Sequence, residues 1–117
     1  MSSCSYTNYK EAEIVVDIVL NDEGFEELEK IYKLFGSIPR LKILLRLSEG
    51  ECTAGELSAV CGLTQSATSH QLRDLKNCRV VKSRKEGMNS YYSLADSHIV
   101  RIIESGIDHV KGEHCDE

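Results

Sequence analysis

The chain opens with a polar stretch, Met1 to Lys10, followed by a β-branched run, Ile14 to Leu20, that fits strand and helix equally. Helical periodicity sets in afterwards. From Asp22 to Phe35, the side chains of Phe25, Leu28, Ile31, Tyr32 and Phe35 recur at helical spacing, and Gly36 ends the run. Ser37 then reads as an N-cap, with Pro39 in the first turn of a short helix carrying Leu41, Ile43, Leu44, Leu45 and Leu47. Apolar nearly all round, this helix is expected to be buried, and it stops at Ser48-Glu49-Gly50.

Thr53-Ala54-Gly55-Glu56 has the Thr-x-x-Glu form of a capping box and opens a helix from Ala54 to Cys61, closed by Gly62. Thr64 caps the next helix, Gln65 to about Asn77, with Ala67, Leu72 and Leu75 facing inward. Two short helices joined by a tight glycine-containing turn form a helix-turn-helix. Gln65, Ser66, Thr68, Ser69, His70, Gln71, Arg73 and Lys76 are displayed on the second, with the chemistry that suits base edges and phosphates. Val80 to Lys85 and Ser90 to Leu94 then alternate around Gly87-Met88-Asn89, the pattern of a β-hairpin with a basic tip. The predicted fold is therefore mainly α with a small β-hairpin: a winged helix-turn-helix. A last helix, Ser97 to Lys111, repeats Ile99, Ile102, Ile103, Gly106 and Val110 on one stripe.

At 117 residues there is room for one compact domain. We divide the chain into a partly ordered N-terminal arm (1–20), a DNA-binding and dimerisation domain (21–112) and a tail (113–117). The 41% hydrophobic and 28% charged composition is that of a globular protein, and no apolar run approaches the roughly 20 residues of a membrane span. The polar start lacks a basic-then-apolar leader, and the five cysteines follow no repeating spacing, so a cytoplasmic protein with reduced thiols is expected. The net charge of −5 argues against a nucleic-acid partner until its distribution is considered. Residues 64–90 carry six basic side chains (Arg73, Lys76, Arg79, Lys82, Arg84, Lys85) against two acidic ones, while the flanking segments are acidic. A basic segment of this kind is either a DNA contact surface or a solvated charged face.

The order of these elements, and several words within them, resemble the ArsR/SmtB family of metal-responsive repressors. The stretch Gly62-Leu63-Thr64-Gln65-Ser66-Ala67-Thr68-Ser69-His70-Gln71-Leu72-Arg73-Asp74-Leu75 is similar to the family's recognition helix. Arg84-Lys85-Glu86-Gly87 and Tyr91-Tyr92-Ser93-Leu94 are similar to its wing. The likeness runs from about Ile31 to Val110. It implies a homodimer, formed through N- and C-terminal helices, that binds an operator palindrome in double-stranded DNA and releases it when metal binds. Under this resemblance Gln65, Ser66, Ser69, His70 and Arg73 read the major groove, and Lys82, Arg84 and Lys85 hold phosphates near the wing; Thr68 and Lys76, displayed on the same helix, complete the expected DNA-binding set.

The last helix carries the candidate metal chemistry. His98 and His109 are 11 residues apart, so they share a face but stand about 16 Å apart along the axis. With zinc–nitrogen bonds of about 2.1 Å, one chain cannot close a site on both. An antiparallel second copy can, setting Asp96 and His98 of one subunit against His109 of the other, twice per dimer. The stripe Ile99, Ile102, Ile103, Gly106 and Val110 supplies the matching interface. Family members with such a site use Asp-x-His and then a His followed three residues later by a carboxylate or imidazole. Here that third position is Gly112, and the fourth donor falls to Glu113 or His114. Nitrogen and oxygen donors suit Zn²⁺ first, with Co²⁺ or Ni²⁺ as alternatives.

A second family site, built on a Glu-Leu-Cys-Val-Cys-Asp phrase, is reduced here to Glu51-Cys52-Thr53-Ala54-Gly55-Glu56. Two competing readings follow. Cys4, Cys52 and Cys115 could sense oxidants, arsenite or soft metals on the same fold, or the winged helix could serve as a protein-interaction module without DNA. Cys61 and Cys78, beside apolar neighbours at helix ends, read as buried structural thiols. No motif places a nucleophile or acidic partner beside His70, so an enzyme is not expected.

Overall fold

The computed structural model describes residues 21–112. The expected arm (1–20) and tail (113–117), with Cys4, Glu113, His114 and Cys115, lie outside the described residues. Asn21 opens helix α1 (Asp22–Leu34). Its side-chain oxygen accepts from the Gly24 N–H at 2.8 Å, and Asp22 and Glu23 place negative charge at the helix's positive end. The apolar stripe of α1 does not all turn inward: Leu34 is buried, Ile31 and Phe35 pack against the core's edge, and Phe25 and Tyr32 are exposed. Helix α2 (Ile38–Leu47) begins with Pro39 in its first turn, as expected, but Ser37 makes no side-chain capping bond. Expected to be buried all round, α2 is two-sided. Ile43, Leu44 and Leu47 enter the core, whereas Ile38, Leu41 and Leu45 face outward, because the core covers only one flank of the helix.

Strand β1 (Cys52–Thr53) is too short to show alternation and was not anticipated. The capping box is present in full at the start of helix α3 (Ala54–Cys61): Thr53 Oγ1 accepts from Glu56 N–H at 3.1 Å, and Glu56 Oε1 accepts from Thr53 N–H at 2.8 Å. Gly62 takes the left-handed conformation that turns the chain (φ 68°), and Thr64 caps helix α4 (Gln65–Asn77). Beyond α4, Arg79 also sits at positive φ (62°), while Val80 N–H closes back onto the Leu75 carbonyl at 2.9 Å.

Strands β2 (Val81–Glu86) and β3 (Asn89–Leu94) form the hairpin, and Asn89 pairs with Glu86, so the turn is Gly87-Met88 alone. Thr53 and Cys52 add to β3 opposite Tyr91 and Tyr92, giving a three-stranded antiparallel sheet in the order β1-β3-β2. Helix α5 (Ser97–Val110) follows, capped by Asp96. The core joins all these elements: Ile43 and Leu44 from α2, Leu57 from α3, Leu72 and Leu75 from α4, Val80, Val81, Cys52 and Leu94 around the sheet, and Ile99 and Ile103 from α5.

Candidate nucleic-acid interface and metal-ligating residues

Helix α4 divides cleanly by face. Thr68, Leu72 and Leu75 are buried, and Gln65, Ser66, Ser69, His70, Arg73 and Lys76 are exposed along the opposite side. Thr68 corrects the sequence expectation. It is 0% exposed, accepts from Ser58 Oγ at 2.8 Å and donates to the Thr64 carbonyl at 2.9 Å. A hydroxyl that pins α3 to α4 from inside cannot also reach DNA. Gln71, half-buried, also turns inward and accepts from Arg40 at 2.9 Å. On the outer face His70 stands between two neighbours, with Nε2 3.6 Å from Asp74 Oδ2 and Nδ1 3.5 Å from Arg73 Nη1.

The hairpin stands beside this face. Lys76 Nζ donates to Ser83 Oγ at 2.8 Å, tying α4 to β2 with one of the ammonium's donors. Lys82 and Lys85 are exposed, but Arg84 is held by the protein. Its Nε and Nη2 form a fork on Glu51 at 2.7 and 2.8 Å, its Nη1 donates to Glu86 at 2.7 Å, and the guanidinium lies 4.8 Å from the Tyr91 ring centroid. The Arg84 hydrogen bond holds the Glu51 carboxyl below its usual range. Arg84 therefore clamps two carboxylates across the sheet, and a phosphate reaching this guanidinium would compete with Glu51 and Glu86 for it. Sequence reading missed Glu51 because it lies 33 residues from Arg84 and outside every local pattern.

At the start of α5, Asp96 Oδ1 accepts from His98 N–H at 2.9 Å and Ile99 N–H at 3.1 Å, and His98 Nδ1 stands 3.4 Å from the same oxygen. The backbone bonds from Ile99 and then His98 depress the Asp96 carboxyl, keeping it ionised. A carboxylate and an exposed imidazole thus meet at one end of α5, while His109 is exposed in the last turn. Among the described residues of one chain, no three His, Cys, Asp or Glu side chains converge. The donors that do meet are oxygen and nitrogen, types that divalent-ion sites use, and Asp96 Oδ1 here serves as the helix cap. Cys52 and Cys61 are buried, and burial is the main effect raising both thiols, so neither is disposed to form a thiolate. Cys78 is half-buried.

The stripe on α5 separates into two roles. Ile99 and Ile103, each 7% exposed, pack into the protomer's own core, because α5 lies across the sheet and must bury that side first. Ile102, Gly106 and Val110 face outward, Val110 at 86% exposure. Together with the edge of Ile103, with Tyr32 of α1 and Phe35 at its C-cap, and with Leu41 and Leu45 of α2, they line an apolar cleft of about 570 Å³. At Gly106 a Cβ would meet nothing within 4 Å, so the helix backbone is open to close approach.

A helix-turn-helix with a polar outer face on its second helix, flanked by a basic hairpin, defines a winged helix-turn-helix DNA-binding protein. Comparison with known proteins identifies the group. The model for bacterial regulatory proteins of the arsR family matches residues 39–83. The transcriptional repressor SmtB homolog of Synechocystis is 32% identical over 93 residues, covering 80% of this chain and 70% of that protein. The cadmium resistance transcriptional regulatory protein CadC homolog of Staphylococcus aureus is 36% identical over 84 residues, covering 71% and 69%. Among solved structures, HlyU from Vibrio cholerae superposes with a TM-score of 0.69 at 29% identity, covering 77% of this chain and 97% of that one. The chain belongs to the ArsR/SmtB family of transcriptional regulators.

Proposed function

We propose that this protein is a homodimeric, metal-responsive repressor that works in the cytoplasm. It binds an operator palindrome and releases it when Zn²⁺, or a similar divalent ion, binds between the α5 helices of the two subunits. The outer face of α4 carries the reading: six exposed hydrogen-bonding side chains sit on a helix whose other face is fixed in the core. Gln65, Ser66, Ser69 and His70 contact base edges, Arg73 and Lys76 reach flanking phosphates, and Lys82 and Lys85 hold phosphates near the wing. The apolar cleft between α1, α2 and α5 supports the dimer: a second copy is the partner that covers Ile102, Gly106 and Val110 at once.

In this reading Asp96 and His98 of one subunit hold the metal with His109 of the other, and Glu113 or His114 completes the set. Bound metal supplies a cross-link that favours one arrangement of the two subunits. For release to follow, it must bind the low-affinity dimer better than the operator-bound one, a coupling of roughly 1–3 kcal/mol or about 5- to 150-fold in affinity. The direction of regulation belongs to the proposal, since a relative named as the transcriptional activator HlyU is 34% identical over 88 residues. Of the cysteines Cys4, Cys52 and Cys115 that a thiol-based sensor would use, Cys52 is buried and its thiol raised, which weighs against its part in one.

The test is fluorescence anisotropy on DNA from the gene's own promoter region, first with chelator and then with stoichiometric zinc. Tight binding that zinc weakens, with the zinc response lost in both His98→Ala and His109→Ala, is the expected outcome. A full zinc response in both variants refutes the metal assignment, and weak, salt-insensitive association refutes the DNA role.

A further inference from the structure

Arg40, on α2, reaches two other helices. From the first turn of α2, its Nε donates to the Leu34 carbonyl at 3.0 Å and its Nη2 reaches the Lys33 carbonyl at 3.5 Å, both at the C-terminal end of α1. Its Nη1 donates to Gln71 Oε1 at 2.9 Å, midway along α4. The last carbonyls of a helix lack partners within it and form its negative end, so a guanidinium is a suitable cap. The planar fork fixes several directions at once, which a lysine does not. Arg40 and Gln71 are both half-buried, and Gln71 sits between outward His70 and core Leu72.

Each end of this bracket matters. On one side, α1 and its C-cap supply Tyr32 and Phe35 to the cleft that a second copy would cover. On the other, α4 carries the polar face that reads DNA. We propose that Arg40 and Gln71 form a positioning device that sets the angle of α4 against the dimer-forming side, and so selects the spacing between operator half-sites. The inference rests on the dimeric operator-binding reading above.

The geometry gives the pair leverage. Gln71 lies six residues from the start of α4 at Gln65, about 9 Å along the axis. A tilt of about 10° at Gln71 therefore moves the reading end by about 1.5 Å, roughly three times the ~0.5 Å range of N–H···O distances. Two-fold symmetry applies the same tilt to both subunits, so the separation of the two reading ends can change by about 3 Å. One base pair adds roughly 3.4 Å along the duplex. Angular play of that size is enough to blur the protein's preference between adjacent spacings.

The experiment uses the full-length chain. A palindromic duplex is selected from a random-sequence library with the unaltered protein, and versions with the centre lengthened or shortened by one base pair are made. Dissociation constants are measured for the unaltered protein, Arg40→Lys and Gln71→Met, the last removing the acceptor at similar volume. The unaltered protein should lose about tenfold or more in affinity when the half-sites move. Both variants should lose less than about threefold, with the dependence on salt unchanged because no phosphate contact is removed. Gln71→Glu keeps an acceptor for Arg40 and should keep the sharp spacing profile, at weaker overall affinity from the added negative charge.

An unaltered spacing profile in Arg40→Lys and Gln71→Met overturns the inference. So does a uniform loss on every duplex, including random DNA, which would mark Arg40 as serving stability alone. If the unaltered protein is itself indifferent to spacing, the dimeric operator reading fails first and takes the inference with it.

Discussion

Replacing Thr68 by valine separates a DNA contact from an internal fastener. Valine matches threonine in shape, so no cavity opens, and only the hydroxyl is lost. That hydroxyl accepts from Ser58 Oγ at 2.8 Å and donates to the Thr64 carbonyl at 2.9 Å. The carbonyl keeps its backbone bond from Thr68 N–H, also at 2.9 Å. Ser58 is buried and loses its acceptor, a penalty of about 1–3 kcal/mol for an unsatisfied group. Rotation of its hydroxyl toward a carbonyl one turn back recovers part of this, so we expect a net loss of about 1–2 kcal/mol. For a domain of this size that corresponds to a fall in Tm of about 4–16 °C. The assay is thermal unfolding of metal-free protein at one fixed concentration, since a dimer's Tm depends on concentration. Ser58→Ala combined with Thr68→Val removes both polar partners and should restore most of the stability. DNA affinity measured well below the transition should remain within a few-fold of the unaltered protein. A Thr68→Val protein with unchanged Tm and tenfold weaker operator binding would refute the buried role.

Three further outcomes are expected. Lys85→Gln should flatten the log–log dependence of operator affinity on salt by about 0.9, the loss of one phosphate contact, whereas Arg84→Gln should leave the slope in place because Arg84 already serves Glu51 and Glu86; equal slope changes in anisotropy titrations would contradict the clamp. Arg79→Gly should raise stability by up to about 1 kcal/mol in urea unfolding, because Arg79 bears a left-handed conformation (φ 62°) that glycine adopts without strain; a loss would mean that Arg79 makes an offsetting contact. Asp96 has a carboxyl depressed by the Ile99 and His98 N–H groups, so the stability it adds is complete above the unfolded-state value near pH 4 and is lost as pH falls through the lower folded value; Asp96→Asn keeps a capping oxygen, and its Tm should lose less than the unaltered protein's across that acid range.

Much of the backbone was legible because its signals are local. Thr53 and Glu56 announce a helix start, Gly62 a left-handed turn, and Gly87 between two alternating runs a hairpin, all within a few residues. Most of what escaped depends on where the core lies, which residues far apart in the chain decide. Two residues at Cys52–Thr53 show no period, and only their pairing with Tyr92 and Tyr91 makes them a strand. The sidedness of α2 could not be read from an almost continuous apolar run, because the direction of the core is set by α3 and the sheet. Thr68 fits a polar reading face by composition, yet falls on the same side as Leu72 and Leu75 once the helix is wound. The basic wing was legible as charge, but not the partnership of Arg84 with Glu51. On α5 the stripe was visible, while its division between the protomer's core (Ile99, Ile103) and the outer cleft (Ile102, Val110) required the fold.

The strand order β1-β3-β2 leaves β2 with an open edge. An open edge offers unpaired backbone groups to any other strand, and lysine and arginine along it are a common defence against edge-to-edge aggregation. Lys82, Arg84 and Lys85 lie on that edge strand, so besides the DNA role proposed for the wing, its basic side chains place charge where a neighbouring strand would otherwise pair. Stripping Lys82 and Lys85 together to weaken DNA binding should therefore also remove much of this protection, and the resulting protein should lose solubility together with affinity. Single substitutions, spaced along the strand, keep these two effects apart.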